Sequence, residues 1–169
     1  MARIIIKKET SSMMRLLPLL ILSLFFLSIG ELQAFNKPVK TNYFASLRSN
    51  KTNVRAGPGL QYPIKFTVKL KGFPIKVISE YDNWSEIKDY EGDSGWISQG
   101  LISKKRTILV KTSKSFVNIY KKPTNRSRII LRIENNVVGN LLKCSKDYCG
   151  IKIDGEKGWI SKKEAWGTN

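Results

Sequence analysis

The four residues Gly95-Trp96-Ile97-Ser98 return as Gly158-Trp159-Ile160-Ser161, 63 positions later. Asn53-Val54-Arg55 with Pro58 aligns with Asn118-Ile119-Tyr120 with Pro123 at an offset of 65. Between these, Ile78 and Trp84 to Ile87 align with Leu142 and Tyr148 to Ile151 at an offset of 64. A drift this small is what short loop changes produce, so the chain carries two copies of one unit. With 169 residues in all, each copy must fold as a small domain.

Both copies read as β. The expected strands of the first are 44–47, 65–70, 75–80, 84–89 and 94–98; those of the second are 108–111, 129–133, 140–146, 148–153 and 157–161. These segments are short, rich in β-branched and aromatic residues, and bounded by turn formers. Gly57-Pro58-Gly59, Tyr81-Asp82-Asn83, Glu91-Gly92-Asp93 and Asp154-Gly155-Glu156 supply the turns. No helical stripe interrupts them. Short strands without a crossover helix imply an all-β chain of two tandem small antiparallel barrels. Ser103 to Thr107 is the polar joint, which places one repeat at 43–103 and the other at 104–169.

The N-terminus reads differently. Arg3, Lys7, Lys8 and Arg15 precede an apolar run from Leu16 to Ile29, and Ala34 follows as a small residue before a cut. This pattern predicts a helical signal peptide over residues 1–34, a linker over 35–42 and a periplasmic or secreted product. The alternative is an uncleaved anchor in the inner membrane, for which the run is short and carries Pro18.

Charge and composition narrow the chemistry. The chain holds 30 Lys and Arg against 13 Asp and Glu. Residues 1–34 contain four basic and two acidic groups, leaving 26 against 11, or +15, beyond them. Such a field attracts anionic surfaces. Nucleic acid would respond to it in a test tube, but export makes that partner foreign to the protein's setting. Histidine is absent, which removes Ser-His and Cys-His catalysis and His-ligated metal sites. Two cysteines cannot build a Cys₄ zinc site. Glu86 and Asp93 are open to carboxylate chemistry, but nothing pairs them. No metal, no cofactor and no catalytic activity are expected.

Asn53-Val54-Arg55-Ala56-Gly57-Pro58-Gly59, a later apolar strand, Trp84 and then Gly95-Trp96-Ile97 resemble the bacterial SH3-like domain (SH3b) family. The order and spacing of these elements carry the match. The second copy departs at its start, with Tyr120 in place of Arg55. Its tail resembles a variant in exported proteins of alphaproteobacterial type, where a Cys pair brackets a strand turn and a Gly-Trp strand leads to a terminal Trp-Gly, here Trp166-Gly167. The resemblance implies tandem SH3-like barrels and a non-catalytic envelope module. Its implied ligand is a cell-wall (peptidoglycan stem) peptide or an envelope protein; no oligomeric state is implied. The alternative is a basic scaffold or adaptor docking on an anionic membrane surface or a partner protein.

Cys144 and Cys149 are separated by four residues in a hairpin, where facing Cβ atoms approach disulfide distance. With export to an oxidising compartment, this spacing favours a structural disulfide over free thiols. Trp84 and Ile87 differ by three positions, so they occupy opposite faces of a strand. Ile87 takes the core and Trp84 a groove or solvent. Tyr148 and Ile151 repeat the arrangement. Exposed aromatics at matching places are candidate ligand anchors; the competing role is to cover a barrel end. Tyr62 joins them as a candidate beside the Gly-Pro-Gly turn. For Trp96 and Trp159, packing in the last strand is favoured over binding. Arg55 suits a carboxylate, though bracing its own loop is the favoured role; Tyr120 stands in its place. Gly57, Pro58 and Gly59 are turn formers.

Overall fold

A computed structural model describes residues 37–168, and Lys37–Asn169 form one compact unit. The leader expected over residues 1–34, with Ala34, lies outside the described residues, as does Asn169. Fourteen strands follow one another, with only two short 3₁₀ turns, at Gln99–Leu101 and Lys162–Glu164, among the described residues.

The first repeat contains β1 (Val39–Leu47), β2 (Thr52–Arg55), β3 (Ile64–Val68), β4 (Pro74–Tyr81), β5 (Trp84–Lys88), β6 (Ser94–Ser98) and β7 (Ile102–Ser103). The second contains β8 (Thr107–Val110), β9 (Phe116–Tyr120), β10 (Ile129–Glu134), β11 (Val138–Cys144), β12 (Tyr148–Ile153), β13 (Glu156–Ser161) and β14 (Ala165–Trp166). The sheets run β3-β2-β6-β5-β4-β1-β7 and β10-β9-β13-β12-β11-β8-β14. Each label in the second is the first plus seven, and all pairings are antiparallel. This is the duplicated all-β architecture expected from the repeats.

The duplication extends to loop hydrogen bonds. Arg48 N–H donates to Leu101 C=O, as Lys111 N–H does to Glu164 C=O; Ala56 N–H donates to Pro63 C=O, as Lys121 N–H does to Arg128 C=O. Gln99 N–H on Asn83 C=O recurs as Lys162 N–H on Asp147 C=O.

Alternation builds one core per repeat. Val54, Ile75, Val77, Ile87 and Ile97 come from four strands, and Ala45 and Leu47 from a fifth, yet all enter one buried cluster. A single sheet brings its outer and central strands onto one core only by curling around it. Val117, Ile119, Cys149, Ile151 and Ile160 do the same in the second repeat.

Besides the two closing strands, β2 and β9 are not among the expected ones. Each is short and lies inside a segment dominated by turn signals. Thr52 and Val54 are nevertheless buried, alternating with half-buried Asn53 and Arg55. The closing strands β7 and β14, two residues each, are too short to leave a period.

The repeats share packing through β8. All four of its residues are buried: Ile108 and Val110 enter the second core, whereas Leu109 enters the first. Hydrogen bonds reinforce the seam. Thr107 Oγ1 donates to Gly72 C=O at 2.7 Å, and Ser46 Oγ to Lys105 C=O at 2.8 Å. The polar joint is thus bonded to the first repeat, while β8 pairs with β11 and β14 of the second.

Candidate functional site

The outer face of the first sheet carries most of the residues singled out in that repeat. Arg55, Trp96 and Glu86 are cross-strand neighbours on β2, β6 and β5, and Trp84 pairs with Ser98 in the next row. Trp84 is half-buried while Ile87 is fully buried, as alternation requires. Trp96 likewise faces outward between buried Gly95 and Ile97. Gly95 is needed because β6 passes close to β2. A Cβ there would sit 2.6 Å from Val54 Cγ1 and 2.7 Å from the Arg55 carbonyl oxygen.

Arg55 braces its loop. Its Nη1 donates to the carbonyls of Tyr62 at 2.7 Å and Leu60 at 3.1 Å. This holds Leu60 and Tyr62 at the surface, 76% and 40% exposed. Gly57 and Gly59 supply room within the same loop: a Cβ on Gly57 would meet the Tyr62 ring at 2.5 Å, and one on Gly59 would strike the Gln61 side chain. Neither glycine is in the left-handed region.

In the second repeat Tyr120, Trp159 and Gly150 form the corresponding row, and Tyr148 pairs with Ser161. Replacing the arginine by Tyr120 changes the surface. The Tyr120 and Tyr148 rings meet edge to face, with centroids 6.1 Å apart at 87°. They line a cleft of about 520 Å³, together with Lys111, Asn125, Lys163 and others. Trp159 lies outside it, with Lys143 Nζ 5.7 Å from its ring centroid. The structure therefore brings two of the expected aromatics into one concavity here.

Cys144 and Cys149 face each other across β11 and β12 and form a disulfide, with Cα atoms 4.0 Å apart. Cys149 is fully buried in the second core and Cys144 is exposed, so the bond ties a surface loop to that core.

A further set of residues carried no clear sequence signal and lines clefts between the repeats. Phe44 is its centre: Trp166 packs against it edge to face at 5.0 Å, Arg106 Cζ lies 5.4 Å from its centroid and Lys76 Nζ 5.8 Å. Arg106 Nη2 also donates to Gly167 C=O at 2.8 Å, and burial lowers its pKa. Tyr43 donates its hydroxyl to Glu80 Oε1 at 2.7 Å. Burial, reinforced by that carboxylate, pushes the phenol up to about 12. Of these, only Trp166-Gly167 carries a sequence expectation, as the end of a tail pattern.

Asp89, Glu91 and Asp93 bring carboxylate oxygens within 4.8 Å of one another. Asp89 Oδ1 accepts backbone N–H bonds from Glu91, Gly92 and Asp93, each 2.9 Å, so it organises the turn. Glu91 accepts the Tyr90 hydroxyl, which with partial burial raises the Tyr90 pKa.

These features define a class: duplicated SH3-like sheets with a Gly-Trp strand crossing the Asn-Val-Arg strand. The bacterial SH3 domain family matches at residues 48–104 and again at 113–167. The chain belongs to that family, with two tandem copies. Among curated proteins it is similar to the "Putative N-acetylmuramoyl-L-alanine amidase YrvJ" of Bacillus subtilis (strain 168), 31% identical over 117 residues. The match takes in 69% of this chain but 22% of that relative. Among solved structures it is similar to NlpC2 from Trichomonas vaginalis, at 16% identity and a TM-score of 0.34, over 75% of this chain and 48% of that one. An NlpC/P60 family protein from Bacillus cereus matches at 13% identity and the same TM-score, over 74% of this chain and 57% of that one.

Proposed function

We propose that the chain is a non-catalytic, extracytoplasmic binding module that holds a cell-wall stem peptide noncovalently. The observation that carries this reading is the Tyr120–Tyr148 cleft, where two amphipathic rings line a concavity beside cationic and amide side chains. The amidase relative supports it, because what that protein shares with this chain is a minor part of its length. The disulfide and the apolar leader support a site outside the cytoplasm. In the first repeat Trp84 and Trp96, on the outer face of the sheet, offer a second surface for the same ligand class, and Tyr62 is exposed on the loop that Arg55 braces.

The test is a chemical-shift titration with a stem peptide. Shifts centred on Tyr120 and Tyr148 are expected, with Tyr120→Ala weakening binding about tenfold, the loss of one aromatic anchor. An unperturbed cleft, together with failure to co-sediment with peptidoglycan sacculi at physiological salt, would sink the reading. One observation favours a second reading, a basic adaptor for anionic surfaces: a single ion pair, Lys114–Glu164, forms among the described residues despite the basic excess. Vesicle association abolished by salt would favour it, since groove binding survives screening better than surface charge attraction.

A further inference from the structure

The junction between the repeats has the character of a site in its own right. One cleft, about 750 Å³, is lined by Phe44 and Lys76 from the first repeat and by Arg106, Lys162, Lys163 and Trp166 from the second. A neighbouring cleft of about 800 Å³ shares Tyr43 and Phe44 with it and adds Arg48, Lys104 and Lys105. On the other side Lys163 also lines the Tyr120–Tyr148 cleft. Tyr43 and Phe44 are common to the first two clefts and Lys163 to the first and third, so the three concavities lie side by side along a track crossing both repeats.

The charged side chains described along this track are mostly cationic. Among the described residues, the carboxylates lining it are Glu80, which accepts the Tyr43 hydroxyl, and Glu164, which pairs with Lys114 at 3.3 Å. Lys76, Lys104, Lys105, Lys162 and Lys163 form no ion pair among the described residues. Concave walls with cations of one sign concentrate their field on what lies between them.

We propose that the groove at the repeat junction binds the carboxylates of an extended acidic peptide, whose length continues into the tyrosine cleft. Three features select this occupant. The track is longer than one compact anion fills. It is concave, whereas lipid headgroups present a broad plane. The Phe44 ring has Lys76 and Arg106 at cation–π distance and Trp166 edge to face beside it, which puts cations rather than an open stacking face at the centre of the junction. A peptide needs no such face: its carboxylates meet the cations while its apolar parts rest on ring edges. The identification of that peptide with a cell-wall stem rests on the function proposed above; the demand for carboxylates does not.

The experiment titrates the protein with a stem peptide bearing free carboxylates, with the same peptide amidated at each carboxylate, and with an unrelated peptide of equal carboxylate number. The free form is expected to shift the Trp166 indole as well as Tyr120 and Tyr148, and to bind about tenfold tighter than the amidated form. Lys76→Gln with Lys162→Gln should weaken the free form and leave the amidated form unchanged. Equal affinity of the two forms, or a silent Trp166, overturns the groove proposal and leaves the tyrosine cleft standing. Trp166 shifts with the unrelated acidic peptide but none at Tyr120 and Tyr148 with the stem peptide uphold the groove and overturn the wall reading. A thymidine oligonucleotide binding as tightly as the acidic peptide overturns the peptide assignment.

Discussion

At the scale of single residues, strand alternation placed Ile87 and Ile151 in the cores and turned Trp84 and Tyr148 outward, as their spacing predicted. The Arg55 bonds to the Leu60 and Tyr62 carbonyls brace the loop, in keeping with the role its sequence context favours. Gly95 and Gly158 are explained by close strand packing: Cβ atoms there would collide with the Val54 and Ile119 side chains, which no local sequence signal announces. Tyr43 was equally illegible, because its partner Glu80 lies 37 positions away. Its pKa gives a testable consequence. Folding raises the phenol from 10.0 to about 12, so the folded state favours the neutral form. The contribution is complete below pH 10 and is lost as pH rises through 12. Urea midpoints measured from pH 9 upward should fall over that window, and Tyr43→Phe should flatten the fall. A Tyr43→Phe profile parallel to the parent would contradict the assignment.

Among the elements, the recurring Gly-Trp-Ile-Ser sufficed to reveal the duplication, and ten strands were visible from β-branched runs and turn clusters. The strands β2 and β9 were hidden because a four- or five-residue strand beside a turn leaves little period to detect. Hairpin chemistry was more readable. Asp154 and Gly155, both at positive φ, close β12 onto β13 through a two-residue turn. The β4–β5 hairpin also closes through two residues, Asp82 and Asn83, whereas the corresponding β11–β12 hairpin is longer and carries the disulfide. A loop this short limits the disulfide's stabilisation to about 2 kcal/mol by chain entropy. Reduction should therefore lower the unfolding free energy by about 2 kcal/mol without changing the strand content seen by circular dichroism. Collapse of the β signal on reduction alone would show that the bond is a condition of folding rather than a staple.

For the molecule as a whole, the decisive contacts are long-range, and periodicity is blind to them. Nothing in Thr107-Ile108-Leu109-Val110 announces that Leu109 belongs to the core of the other repeat, or that Thr107 reaches Gly72. The inter-repeat clefts were missed for the same reason, since their walls come from segments far apart in the chain. If the repeats are coupled through β8, Leu109→Ala should cost about 2–5 kcal/mol, the range for emptying a buried leucine site. It should also lower one unfolding transition common to both repeats. Separate transitions, with only the first repeat affected, would refute the coupling. The same strand governs how such a protein can be taken apart. A strand has two sides, and β8 lends one to each neighbour. A protease cut or gene truncation at the joint would leave the first repeat with an open socket where Leu109 sat, and the second with an oily flank turned to water. Anyone grafting this module onto an enzyme should therefore transplant the pair whole.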